Sequence, residues 1–280
     1  MSEHAPAPFD LLVLSPHSDD AAFSIGGVLA GAARAGQRLA LQTVFASDEW
    51  RGFGQAAVRQ TEDESFARSL GLALLPPLLD EAPRREARYR SGRRLFDWIA
   101  SDDPLIDKLL DLLTRQLIAQ PAARILAPLG VGEHVDHQLL HAAARRLPAN
   151  VEYYADLPYA LMPGHLTARL RNLGEEHRAP SLVPAVRAWS QTPLLGKLRP
   201  LVRPFAAYTF CHSLRRRPGQ RARQATVWES HLSPSSVEDH LAAIACYPSQ
   251  WPLFFASLEE WRARLQPIRL STPKPATLSR

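Results

Sequence analysis

Lysine, cysteine and methionine are almost missing from this 280-residue chain: 30 of its 33 basic residues are arginine, and it has 2 cysteines and 2 methionines. Cys211 and Cys246 are too few for a disulfide framework and form no CxxC pair. No apolar run approaches the roughly 18 residues that a membrane span needs. The opening Met1–Asp10 (MSEHAPAPFD) has acids and a proline where a signal peptide needs a basic start and an apolar core. These absences predict a cytoplasmic, reduced location and no membrane span. A glycine-rich phosphate turn is also missing. After the first apolar run comes Ser15-Pro16-His17-Ser18-Asp19-Asp20, whose two carboxylates repel the phosphates that a nucleotide-binding turn would cradle.

The net charge is +5 and the pI about 9.5, which raises the question of a nucleic-acid partner. The arginines are scattered in pairs along helix-like segments, with one cluster at Arg215-Arg216-Arg217, Arg221 and Arg223. No RNP-like, KH-like or zinc-finger spacing accompanies them, and no alternation with aromatics. A solvated surface explains a modest basic excess better than a groove for phosphates, so no nucleic acid is expected. An arginine-rich binding module over residues 196–224 remains a competing, non-catalytic reading.

Hydrophobic residues make up 46% of the chain, ample for a sizeable core. Phe9–Ser15 is a short apolar run of the buried-strand type, and Ala22–Ala35 follows with helical character. Residues 38–46 predict a second strand, and 55–70 a helix ended by Gly71. A helix over 104–119, a strand over Arg124–Pro128, a helix over His134–Leu147 and a strand over Val151–Tyr154 continue the alternation. Helices between buried strands predict an α/β fold: a Rossmann-like, mostly parallel sheet with helices on both faces. The prolines between 163 and 218 predict an irregular insertion over about 161–230 within a single domain. Its core then comprises about 9–160 and 233–265, including a helix over Ser233–Ala245, and residues 267–280 form a loose tail.

Two segments following predicted strands concentrate the chemistry: His17-Ser18-Asp19-Asp20 and His134-Val135-Asp136-His137. Taken alone, the aspartates of the first are good helix caps, and the histidines of the second are an ordinary polar helix start. Together they would converge on one sheet edge. Two histidines and a carboxylate with an open position form a recurring catalytic zinc set, which His17, Asp20 and His137 would supply. Asp19 and His134 are then left for chemistry. Asp48 and Arg59 after the second strand, and Asp156 after the last, are candidates for binding substrate, with a solvated loop or a turn as the plain alternative. Cys246 reads as a small core residue.

In these segments the chain resembles the PIG-L/LmbE-like family of zinc N-deacetylases, whose signature is a strand followed by H-P-D-D-E and a later H-x-D-H. Gly26-Gly27, Arg59-x-x-Glu62-Asp63, Ala127-Pro128-Leu129-Gly130, Tyr154-Ala155-Asp156-Leu157-Pro158-Tyr159 and Cys246-Tyr247-Pro248-Ser249-Gln250 agree with it. The resemblance covers about 9–160 and 238–251. It implies zinc, or another divalent ion, on His17, Asp20 and His137. It further implies Asp19 as the base for a zinc-bound water, His134 as oxyanion stabiliser, and Asp136 orienting His134 and holding it protonated. The implied reaction removes an acetyl group from an amine of a sugar-like small molecule; an amide of a thiol conjugate is the alternative substrate. The departures are Ser18 and Ala21, where the family has proline and glutamate. A tyrosine that some members carry before H-x-D-H is also absent, with Val131, Gly132 and Glu133 in its stretch.

Overall fold

Five strands organise the chain: β1 (Phe9–Ser15), β2 (Leu39–Thr43), β3 (Ala73–Leu75), β4 (Ala122–Pro128) and β5 (Val151–Tyr154). They form one sheet in the order β3-β2-β1-β4-β5, with every pairing parallel. The structure, a computed structural model, describes residues 8–47, 55–91, 93–161, 164–173 and 234–265.

The helices are α1 (Asp20–Arg34), α2 (Ala56–Leu70), a one-turn α3 (Ala82–Arg85), α4 (Pro104–Ala119), α5 (Val135–Ala144), α6 (His165–Asn172), α7 (Pro234–Ala245) and α8 (Leu258–Leu265). Side chains alternate along β1, so one strand serves two cores. Leu12 and Leu14 pack with Ile106, Leu109 and Leu113 of α4 and with Leu139 and Leu140 of α5. Leu11 and Val13 pack with Phe23 and Leu29 of α1, Phe66 of α2, Ile244 of α7 and Trp261 of α8. The sheet is therefore covered on both faces, as its continuous apolar strands require.

Local chemistry explains where the elements stop and start. Gly71 ends α2 in the left-handed region, at φ 67°, which glycine adopts without a Cβ penalty. Asp103 caps α4 by accepting the Leu105 N–H, with Pro104 in the first turn. Gly26 and Gly27 let α1 and α7 meet: a Cβ on Gly26 would lie 2.4 Å from the Ala243 Cβ, and one on Gly27 2.3 Å from the Ser236 carbonyl oxygen.

The insertion expected to be irregular begins with a helix, α6, among the described residues. The remainder of that stretch, the arginine cluster, Cys211 and the tail from 267 lie outside the described residues. The short strand β3 and helix α8 go beyond the elements that the sequence predicts; the three residues of β3 carry no readable period. No helix among the described residues is long and apolar enough to cross a membrane.

Candidate active site

From β1 the chain moves first toward β2 and β3, then returns to place β4 on the other side of β1. Such a reversal opens a crevice at the carboxyl ends of the two central strands. Both candidate segments end there, one after β1 and one after β4.

The turn after β1 is tightly held. The Ser15 hydroxyl donates to the His17 carbonyl at 2.7 Å and accepts the Ala21 N–H at 3.0 Å. The His17 N–H donates to Asp20 Oδ2 at 2.9 Å. Asp19, at the head of α1, has φ 87° and makes no capping bond, so the plain capping explanation fails for it. Ser18 donates to Asp63 Oδ2 at 3.0 Å, as does Thr43 at 2.8 Å, and the Tyr247 hydroxyl donates to Asp63 Oδ1 at 2.7 Å. Asp63 thus ties the turn to β2 and to the segment after α7. Glu62 beside it accepts from the Ser249 N–H and hydroxyl.

Asp20 Oδ2 lies 3.2 Å from His17 Nδ1 and 3.2 Å from His137 Nε2. Each imidazole is held from behind by another carboxylate. His17 Nε2 meets Asp136 Oδ2 at 3.0 Å, and His137 Nδ1 meets Asp156 Oδ1 at 2.6 Å. Metal-ligating histidines are oriented in this way, with one nitrogen on a carboxylate and the other on the ion. One nitrogen each of His17, His134 and His137 also lies within 4.8 Å of the other two.

The donor set fits a divalent cation, because two imidazoles converge on one carboxylate oxygen and each is braced from behind by a further carboxylate. Asp20, Asp136 and Asp156 are all buried. Burial opposes the charge on His17, but its bonds to Asp136 and Asp20 outweigh that and raise its pKa to about 9. His137 is likewise opposed by burial, yet the Asp20 charge and the bond to Asp156 carry it to about 10. Burial also disfavours the charge of Asp20, but His137 and His17 hold its carboxyl well below the usual range. Burial and the neighbouring Asp20 push Asp19 well above it, against the pull of Arg59 and His17.

His134 departs from its expected state. Its Nδ1 accepts the Asp136 backbone N–H at 3.3 Å, which leaves the ring proton on Nε2. Burial and the charge of His17 hold its pKa well below 6.5, so the ring is neutral. The Asp136 carboxylate does not bond this ring. It accepts from Arg85 at 2.6 Å and from the Ala82 N–H at 3.0 Å, and it braces His17. Asp156, expected to meet substrate, is fully buried, and its second oxygen accepts the Gly130 and Val131 N–H groups at 2.8 Å. It positions His137 instead. Arg59 pairs with Glu81 at 2.6 Å and lines a cleft of about 600 Å³ with Ser18, Asp63, Glu64 and Asp80. Asp48 lies outside the described residues.

Three contributors have no role legible in the sequence. Arg85 neutralises Asp136, and nothing in the arginine-rich 84–94 stretch distinguishes it from its neighbours. Tyr159 lays its ring over Gly132, where an added Cβ would lie 2.5 Å away, and edge-on to His137 at 5.8 Å. Arg169 reaches from α6 to the loop before His134.

Residues 12–147 match the family described as "PIG-L: GlcNAc-PI de-N-acetylase". The 2'-N-acetylparomamine deacetylase of Streptomyces fradiae is 34% identical over 164 residues, 53% of this chain and 57% of that protein. The match thus spans little more than half of that relative's length. Among solved structures, the zinc-inhibited form of teicoplanin deacetylase Orf2 superposes with a TM-score of 0.57 at 19% identity, covering 91% of this chain and 90% of that one. A triple mutant of a deacetylase of the teicoplanin biosynthetic pathway gives 0.55 at 21% identity, covering 91% and 88%. At these identities the structural likeness establishes the fold. The sheet, the order of the paired motifs and the family match agree: residues 12–147, the stretch similar to the PIG-L family, hold His17, Asp19, Asp20, His134, Asp136 and His137.

Proposed function

We propose that the protein is a metal-dependent N-deacetylase that removes acetyl from an amine of a sugar-containing small molecule. The observation that carries this reading is the seat made by Asp20 Oδ2, 3.2 Å from one nitrogen of His17 and one of His137, each braced by its own carboxylate. His17, Asp20 and His137 would hold the ion, which we take to be zinc from the two-imidazole, one-carboxylate donor set. When bound, a divalent ion acidifies water and polarises the acyl oxygen.

The remaining chemistry belongs to the chain. Asp19 takes the proton of the attacking water as its oxygen bonds to the acyl carbon. The same carboxyl then returns that proton to the amine nitrogen as the carbon–nitrogen bond breaks, releasing acetate and free amine. Its raised affinity for a proton suits both steps. His134 donates its Nε2–H to the acyl oxygen as negative charge grows there, a role open to a neutral imidazole. Arg59 and the cleft carboxylates Glu64 and Asp80 suit the hydroxyls and amines of an aminosugar, the substrate class named for the Streptomyces fradiae relative.

Metal analysis and an acetate-release assay on N-acetylated aminosugars test the reading. The purified protein should hold about one divalent ion per chain, and His17→Ala and His137→Ala should lose most of it, whereas His134→Ala should keep it. Full metal retention in both ligand variants, or no acetate release from any aminosugar, overturns it. Release from thiol-conjugate amides alone would move the substrate to that class.

A further inference from the structure

The loop from β4 to α5 carries His134 and folds in an unfavourable way. Gly130 and Gly132 have φ of 81° and 89°, and Glu133 has φ 62°. Only Asp19 and Glu133, among the described residues other than glycine, adopt a positive φ. A long side chain resists this conformation, so neighbouring contacts must impose it. Glu133 is 1% exposed and Arg169 6% exposed.

Arg169 supplies the constraint. Its Nη1 donates to Glu133 Oε2 at 3.1 Å and its Nε to the Leu129 carbonyl at 2.8 Å. One guanidinium therefore grips both ends of the loop, at the close of β4 and just before His134. The grip needs Gly130 between them, where an added Cβ would lie 2.8 Å from Arg169 Nη2. The Gln138 amide adds a bond to the Glu133 carbonyl at 2.6 Å. His134 follows directly and begins α5 by accepting the Asp136 N–H.

We infer that Glu133 and Arg169 are a positioning pair, a buried ionic staple that sets the direction of the His134 imidazole relative to the reacting acyl oxygen. The staple touches none of the reacting atoms and acts only through His134. It rests on the deacetylase reading of the site. Lysine cannot replace Arg169, because its single ammonium lacks the fork that reaches a carbonyl and a carboxylate at once.

The test measures turnover, KM, bound metal and the His134 imidazole nitrogen resonances in Arg169→Met, Arg169→Lys and Glu133→Gln. Misplacing one catalytic group typically lowers rate on the order of tenfold to a hundredfold. All three variants should lose kcat on that scale, with KM and metal content near those of the unmodified protein. The His134 resonances should depart from the pattern of a ring protonated at Nε2 only. Adding Arg169→Met to His134→Ala should lower kcat no further. An equal loss from Arg169→Met with and without His134 overturns the inference, because the effect would then be general. Normal kcat in Glu133→Gln overturns it as well, and that variant keeps the side-chain volume should Arg169→Met fail to fold. If His134→Ala itself leaves turnover intact, the reading of the site falls; if it is impaired while the staple variants are not, the staple alone falls.

Discussion

Asp19 holds a backbone conformation that aspartate adopts only under constraint, at φ 87°, one residue from the Asp20 carboxylate. The turn needs it: the Ser15, Asp20 and Asp63 bonds to either side leave Asp19 as the residue that must absorb the bend. Asparagine matches aspartate in shape and tolerates a positive φ about as well, so Asp19→Asn removes the proposed base while keeping the turn. We expect this variant to keep its metal and its melting temperature and to lose kcat by a factor on the order of 10² or more. Asp20→Asn should instead weaken metal binding. Steady-state kinetics beside metal analysis separates the two; equal metal loss in both would mean that the adjacent carboxylates share one role.

At the scale of elements, the contact between α1 and α7 joins the N-terminal half to the segment after residue 233. His240 sits in it, 1% exposed, with Nε2–H donating to the Phe23 carbonyl at 2.6 Å and Nδ1 accepting the Gly27 N–H at 3.4 Å. Protonating Nδ1 would set two donors against each other in a dry contact, and burial lowers the pKa of His240 to about 4. An unfolded histidine takes its proton near pH 6.5. Between those values the unfolded chain binds more protons at this residue than the folded one, so the contribution of His240 is complete above about pH 6.5 and is lost as pH drops toward 4. The full linkage amounts to on the order of 3 kcal/mol. Urea unfolding at several pH values should show this slope, and His240→Gln should flatten part of it. An unchanged slope would assign the acid sensitivity to other groups, such as His165, also buried and lowered to about 4.

Over the whole molecule, buried carboxylates gather at the open end of the sheet: Asp19, Asp20, Asp63, Asp136 and Asp156. A bound cation relieves their mutual repulsion, and a ligand taken up only by the folded state adds stability by mass action. At a hundredfold excess over Kd this is about 2.7 kcal/mol, worth roughly 5–10 °C in Tm for a chain of this size. Chelation should lower Tm by that order, and one equivalent of a divalent ion should restore it. A Tm that ignores both treatments would argue against a cation in this cluster.

The strands β1, β4 and β5, helix α4 and the stop at Gly71 are legible in the sequence because each rests on local chemistry: apolar runs, a proline after a capping aspartate, a glycine free to take positive φ. The two histidine–aspartate motifs are legible for a similar reason, since the fold always brings the ends of such strands to one edge. The partners of those motifs are not. Asp136 stands two residues from His134, yet its carboxylate turns to His17 and Arg85, across gaps of 119 and 51 residues in sequence. Asp156 reads as a carboxylate that faces the pocket or closes a turn, and it is sealed behind His137. Helix spacing tells which residues share a face, but a buried carboxylate settles on whichever donors the packed elements bring within reach. Local pattern alone is therefore enough for the α/β sheet and for the residues proposed to hold a metal and move a proton. Long-range packing sets the rest: which carboxylate braces which imidazole, that His134 is neutral, and that Arg169, from a helix beyond the matched residues, holds the loop that carries it.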